Sequence, residues 1–407
     1  MTTISPEFEY LMRIVGDCAA GRPLSHGSVD VDKERLLSLA REQGVIVMAA
    51  AMLQQDEHLP SQLRDRCEAL YYRRSADELQ RRRHITELIA RLEQEGIPVI
   101  VLKGFSAARR YAEPMTRISG DVDLFVSPKD ERKALRLLES SGFAVTPRAT
   151  FSHHSECVHP GLGELELHIA LYEDNAERLW FQGISTANGQ SVRVKTECGE
   201  FSALAPNDEL LFIALHLVKH FVSGGMGLRM ICDLALCHAD AANANYLCCF
   251  HEQLSRLGLD AVVSYALCIA DRYMGIPFTG DFMPDEDMLL SMCRDCERGG
   301  VFGFNDFENR VSSSASARVK LSEKRNAAYL ANRARKLLLY QFRRVFPPFR
   351  TLSEEYPIVK ERRLLTPFIW CKRTALHTVN VIKRKPQGGK AAAPDPEREQ
   401  LLHSLGL

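Results

Sequence analysis

No run of 18 or more apolar residues interrupts this 407-residue chain, so a membrane-spanning helix is not expected to organise it. A secretory signal is missing too. The opening MTTISPEFEYLMRIVGDCAA carries Glu7 and Glu9 where such a signal needs positive charge followed by an apolar stretch, and a cytoplasmic location is expected. Net charge is also absent, with 52 Lys and Arg balancing 52 Asp and Glu. The basic character is local: residues 320–390 hold 18 Lys and Arg against 4 acidic residues, leaving the remainder acidic. The twelve cysteines form no repeating framework, and several lie in apolar helical patterns such as ICDLALC and YLCCF, as buried reduced thiols do. Cys293 and Cys296 have C-x-x-C spacing but no second ligand pair to complete a zinc site. There is no internal repeat.

The composition that is present, 45% hydrophobic and 26% charged, suits an ordinary globular protein of two or three packed units. Residues 33–95 space apolar side chains three and four apart, which predicts helices ending at Gly96. IPVIVL (97–102) then reads as a buried strand, KGFSAARRYA as helical, EPMTRISG as a loop and DVDLFV as a second strand. KDERKALRLLESSGF (129–143) is an amphipathic helix closed by Gly142, and ELELHIAL (164–171) a third strand. Helical spacing resumes at PNDELLFIALHLVKHF (206–221), with Asn207 a candidate N-cap. Pro347 and Pro348 break the pattern, and RKPQGGKAAAPDPEREQ is expected to be disordered. Strand, helix, strand, helix, strand describes a small α/β unit.

Alternate residues of a strand share a face, so Asp121 and Asp123 project together, about 7 Å apart. Two like charges so placed repel unless a cation joins them, and a hard divalent ion is the usual partner. Glu164, Glu166 and His168 likewise share one face of the third strand. If the two strands are neighbours, Glu166 reaches the same ion, and the set matches two-metal phosphoryl or nucleotidyl transfer. Upstream, Lys103 and Gly104 follow a buried strand and open a helix, a place where backbone N–H groups and a lysine can meet phosphate.

The stretch GIPVIVLKGFSAARRYAEPMTRISGDVDLFV resembles the core signature of the uncharacterised nucleotidyltransferase family, within the DNA polymerase β-like nucleotidyltransferase superfamily. The resemblance rests on Leu102, Lys103, Gly104, Tyr111, Pro114, Arg117, Gly120, Asp121, Asp123, Leu124 and Val126. Glu166 and His168 extend it, followed by His216, His220, Arg229 and Asp233, so that it runs from about residue 33 to about 375. It implies an α+β fold: a small polymerase β-like α/β core with a mixed sheet, flanked by N- and C-terminal helical regions. The implied activity is transfer of a nucleoside monophosphate from a nucleoside triphosphate such as ATP to an acceptor hydroxyl or phosphate, with release of pyrophosphate. Asp121, Asp123 and Glu166 would hold Mg2+ or Mn2+. Lys103, Gly104, Arg117 and Gly120 would hold the nucleotide. Two departures stand out: the wider superfamily follows its glycine with serine where Gly104 is followed by Phe105, and its third carboxylate is often Asp where this chain has Glu166.

These readings divide the chain into an N-terminal helical region (1–95), a nucleotidyltransferase core (96–205), a C-terminal helical region (206–345) and a basic tail with a disordered end (346–407). His168 is placed to ligate a metal, orient Glu166, touch the acceptor or serve as a hydrogen-bonded structural histidine. His216 and His220, one helical turn apart, have metal-compatible spacing but lack the glutamate of H-E-x-x-H, and lining the cleft or capping a core network is the simpler reading. Arg229 and Asp233, at i and i+4, read as an ion pair. The basic tail admits docking on the acidic remainder, contact with an anionic membrane surface or, less favoured, nucleic acid. The acceptor is open among small molecule, glycan and peptide. A non-catalytic nucleotide-binding or regulatory module of the same fold is the alternative.

Overall fold

The computed structural model describes residues 3–24, 30–148, 153–171, 184, 191–243, 247–300 and 396–407. All fall within one compact unit comprising Met1–Ser314 and Asp395–Leu407. Most of the basic tail lies outside the described residues. No described helix is long and apolar enough to cross a membrane.

Four helices open the fold: α1 (Pro6–Ala20), α2 (Lys33–Glu42), α3 (Ile46–Leu53) and the 34-residue α4 (Ser61–Gln94). α2 to α4 form where the apolar spacing predicts helices, and α1 lies in the N-terminal region expected to be helical. Ser5 caps α1, accepting from the Phe8 amide, and Gly21 closes it in the left-handed region. Strand β1 (Val99–Leu102) follows, then a five-residue helix α5 (Lys103–Ala107) that passes into a 3-10 turn at Ala108–Arg110. KGFSAARRYA is therefore only briefly helical. After β2 (Asp121–Val126) come α6 (Glu131–Ser140), β3 (Ala144–Thr146), β4 (His154–His159) and β5 (Gly163–His168). Strands β6 (Val192–Thr196) and β7 (Gly199–Ala203) complete a sheet of order β3-β4-β5-β2-β1-β7-β6.

The sheet is mixed. β2 runs parallel to β5 and β1 to β7, while the other pairs are antiparallel. The fold is α+β, with seven strands in place of the three legible in the sequence. β3, β4, β6 and β7 are only three to six residues long, too short for their apolar–polar alternation to be placed from spacing alone.

One sheet face carries the core. Val99, Val101, Val122, Leu124, Val126, Leu165, Leu167, Phe201 and Ala203 pack with Ile85, Leu88, Ile89 and Leu92 of α4 and with Ala134 and Leu138 of α6. Each of these large side chains contributes roughly 1.5–3 kcal/mol through burial. The opposite face carries Ile100, Leu102 and Phe125, also buried, together with Asp121 and Asp123.

Five further helices follow: α7 (Pro206–Gly224), α8 (Leu228–Asn243), α9 (Leu247–Leu257), α10 (Asp260–Met274) and α11 (Glu286–Gly299). Pro206 starts α7 with Ala205 as its cap, so Asn207 lies inside the first turn and is not the N-cap. α1 packs on α10 and α8, which joins the first and last helical regions in one layer. The α1–α10 crossing is close: a Cβ on Gly16 would stand 1.9 Å from the Met274 carbonyl oxygen. Buried Gln43 links three elements, donating to the Cys296 carbonyl at 2.8 Å and accepting from the Leu228 amide at 3.0 Å. The thiols of Cys293 and Cys296 are free and buried, and burial pushes Cys293 up to about 12. Against the expected disorder at the end of the chain, Pro396–Ser404 form α12, which packs on α11, while residues 384–395 lie outside the described residues.

Candidate active site

β2 presents its two aspartates on one face because the faces of a strand alternate, although almost all of it is buried. Val122, Leu124 and Val126 enter the core, so Asp121 and Asp123 face the other way. In the parallel register with β5, Asp121 stands opposite Glu164 and Asp123 opposite Glu166. Adjacent parallel strands thus bring four carboxylates to one face.

Asp123 is almost fully buried and already has two nitrogen partners. The Lys103 ammonium donates to its Oδ1 at 2.7 Å, and His168 Nε2 lies 2.8 Å from the same oxygen. Burial alone would raise this carboxyl, but Lys103 and His168 outweigh it and hold Asp123 far below the usual carboxylate range. Glu166 is also lowered: burial opposes ionisation, and the His168 hydrogen bond at 3.1 Å and the Lys103 charge override it. His168 is correspondingly raised despite its burial, chiefly by hydrogen bonds to Asp123 and Glu166. One ligand atom each from Asp123, Glu166 and His168 lie within 4.8 Å of one another. Asp121 lies outside this trio, one register step away, and lines the same cavity.

Lys103 reaches Asp123 through an unusual backbone. Its φ of 52° makes it the one non-glycine residue with positive φ among those described. β1 ends with Leu102 opposite Asp123 in the antiparallel register, and the left-handed residue turns the chain there. Because α5 is so short, its N-terminal dipole is a minor contribution, and the Lys103 side chain is the principal cation.

Arg117, expected among the nucleotide-holding residues, is buried and held by an internal network. Its Nε and Nη2 hold Asp233 at 3.1 and 2.6 Å, and its Nη1 donates to Ser119 Oγ at 2.9 Å. Tyr111 donates to the same Asp233 carboxylate at 2.7 Å. The guanidinium also lies against Gly104, where an added Cβ would come within 2.3 Å of both Nη atoms. Arg117 therefore supports the Lys103–Gly104 turn while still bordering the cavity. The i, i+4 ion pair expected between Arg229 and Asp233 gives way to this arrangement, since Arg229 donates to the Ile118 carbonyl at 3.1 Å. Gly120 is exposed beside Asp121, with nothing within 4 Å of where a Cβ would stand.

A cavity of about 440 Å³ joins these groups. Its floor is the β2–β5 carboxylate face. Phe212, His216, Lys219 and His220 of α7 and Arg229 of α8 form much of the rest. His216 and His220 are in edge contact, ring centroids 4.4 Å apart, as the cleft-lining reading expected. Burial and then the Lys103 charge push His220 down to about 4 and His216 well below its ordinary value, so both are neutral at pH 7. A larger cavity of about 610 Å³ lies between α4 and the β4–β5 turn, and none of the clustered carboxylates lines it.

The donor set fits a hard divalent cation. Its carboxylate oxygens converge on one face, with Asp123 and Glu166 held below the usual carboxylate range, and the Lys103 ammonium stands in for positive charge there. His153 and His154 also border the cavity, although nothing in the local pattern had marked them. The signal for them is long-range: β4 and β5 form a hairpin whose register sets His154 opposite His168.

Together, the mixed sheet and carboxylate face describe a nucleotidyltransferase-type architecture. Residues 30–275 match the family described as uncharacterised nucleotidyltransferase, and the chain belongs to that family. Among curated proteins nothing matches. Two solved structures show distant likeness. A lincosamide antibiotic adenylyltransferase, LnuA, in its lincomycin-bound form is 15% identical over 31% of this chain and 82% of its own, with a TM-score of 0.24. An antigenic nucleotidyltransferase-like protein from Paracoccidioides brasiliensis is 16% identical over 47% of this chain and 93% of its own, with a TM-score of 0.31.

Proposed function

We propose that the protein transfers a nucleoside monophosphate from a nucleoside triphosphate to an acceptor hydroxyl or phosphate, releasing pyrophosphate. The observation that carries this reading is the β2–β5 register, which sets Asp121 and Asp123 against Glu164 and Glu166 on the wall of one cavity. Mg2+ or Mn2+ held by Asp121, Asp123 and Glu166 would neutralise the triphosphate and lower the pKa of the acceptor hydroxyl. Lys103 and Arg229, with Lys219 across the cavity, supply fixed positive charge for the phosphates. Gly104 and Gly120 keep side chains out of the phosphate path, and Arg117 holds the turn that carries Lys103. Glu166, kept ionised by His168, is the base that receives the acceptor proton.

One feature favours the non-catalytic reading: Asp123 is already held by Lys103 and His168, so this carboxylate has partners without a metal. Incubating the protein with Mg2+, each α-labelled nucleoside triphosphate and cell extract separates the two. Transfer predicts a labelled product that Asp123→Ala abolishes. Thermal stabilisation by nucleotide with no labelled product under any nucleotide would leave only the binding module.

A further inference from the structure

We propose that His153, His154 and His168 form a second metal site, for a borderline divalent transition metal of the Zn2+ class, chemically distinct from the carboxylate site beside it. Three backbone features assemble it. The β4–β5 register places His154 directly opposite His168, on one face of the hairpin. The Ile169 amide donates to the His153 carbonyl at 2.9 Å, which holds the residue before β4 against the end of β5. The three rings consequently form a triangle with centroid separations of 4.5, 5.1 and 5.2 Å.

One ring nitrogen from each histidine lies within 4.8 Å of the other two. Zinc–imidazole bonds of about 2.0–2.1 Å in tetrahedral geometry require ligand nitrogens roughly 3.3 Å apart. His154 Nδ1 and His153 Nε2 are already 3.2 Å apart. His168 Nε2 is committed to Asp123 and Glu166, which leaves Nδ1 as its ligand atom. A carboxylate on the far nitrogen is the usual support of a metal-bound histidine, fixing its tautomer and raising its basicity.

Ligand chemistry separates this site from its neighbour. Imidazole nitrogens suit Zn2+, Ni2+ and Cu2+, whereas Mg2+ takes oxygen ligands. Three histidines leave a fourth position open, the arrangement of an exchangeable centre. His153 and His154 are partly exposed and border the 440 Å³ cavity, so the open position faces the compartment that the acceptor would enter. Glu166 Oε1, 3.6 Å from His154 Nε2, lies at the boundary between the two sites.

Full-length, metal-stripped protein titrated with Co2+ tests this. With excess Mg2+ present to fill the carboxylate site, the expected result is one Co2+ per chain with the visible bands of four- or five-coordinate nitrogen and oxygen ligation. The thiolate charge-transfer band should be absent, and Zn2+ should displace the Co2+ where excess Mg2+ does not. Changing His153 and His154 together to Ala should weaken binding more than about 100-fold, the upper range for loss of an outer partner alone. Asp121→Asn should leave Co2+ binding intact, because Asp121 is not one of the ligands, so this test does not depend on the transfer reading. X-ray absorption of the Zn2+-loaded wild type needs no variant and should show imidazole scattering. Sulfur ligation, binding that survives the double substitution in folded protein, displacement by Mg2+ or no binding would each overturn the site.

Discussion

Lys103 and Gly104 show how single residues set this site's geometry. A lysine in the left-handed region costs roughly 1–2 kcal/mol, yet this conformation places its ammonium 2.7 Å from Asp123. Lys103→Gly and Lys103→Ala both remove the ammonium, and only the first relieves the backbone. Urea denaturation should therefore find Lys103→Gly more stable than Lys103→Ala by about 1 kcal/mol, with nucleotide binding lost in both. Equal stability would remove strain from the account. At Gly104 the expected effect is steric. An added methyl would press on a guanidinium that Asp233 holds in place, so Gly104→Ala should lose about 1–3 kcal/mol. In a double-mutant cycle with Arg117→Ala that loss should shrink, because the obstructing group is gone. Sequence alone marked both residues, but it could not show that Arg117 acts from behind the glycine. The partner that fixes it, Asp233, lies 116 positions away.

Among the elements, α7 couples the helical layer to the segment after β1, residues 106–110, through Glu209. This buried first-turn carboxylate receives Ser106 Oγ at 2.6 Å, Arg109 Nη2 at 2.6 Å and Arg110 Nη2 at 2.7 Å. Burial works against its charge, but the two arginines dominate and bring its pKa down to about 2 from 4.5. A carboxyl depressed on folding stabilises the protein above its unfolded pKa. Its contribution, about 3 kcal/mol at most, should therefore fade as pH falls from about 4.5 to about 2. Unfolding free energies measured across that range should fall less steeply with acid in Glu209→Gln than in wild type. An identical acid limb would mean that Glu209 is not ion-paired. The sequence showed the helices carrying this network, since long amphipathic spacing is a local property. β4, β6 and β7 were hidden because HSECVH, VRVKT and GEFSA are only five or six residues long, and their pairing with β5 and with each other fixes them as strands. The same reason explains the site's mixed legibility. Asp121, Asp123 and Glu166 stood out by alternation within their own strands, whereas His153 and His154 gain meaning only from the β4–β5 hairpin.

Across the whole molecule, the chain's last helix reaches the α7 helix that lines the cavity. Arg398 of α12 donates to Asp295 of α11 and to the Phe221 carbonyl in the last turns of α7, and its guanidinium lies 5.5 Å from the Phe221 ring centre. Both charged side chains are nearly fully buried. A guanidinium on a late carbonyl complements the helix dipole, and this one sits a single residue beyond His220. Removing one member of such a buried pair strands the other. Arg398→Ala should accordingly cost about 3–5 kcal/mol, and removing Asp295 as well should recover part of it, because no buried charge then remains unpaired. Denaturation of the single and double variants measures the recovery, and additive losses would contradict the pairing. Nucleotide affinity supplies the second readout. If Arg398 fixes the end of α7, its loss should weaken binding through Lys219 and the His216–His220 wall, although it lies outside the residues lining the cavity. Unchanged affinity in a folded Arg398→Ala protein would confine α12 to stability alone.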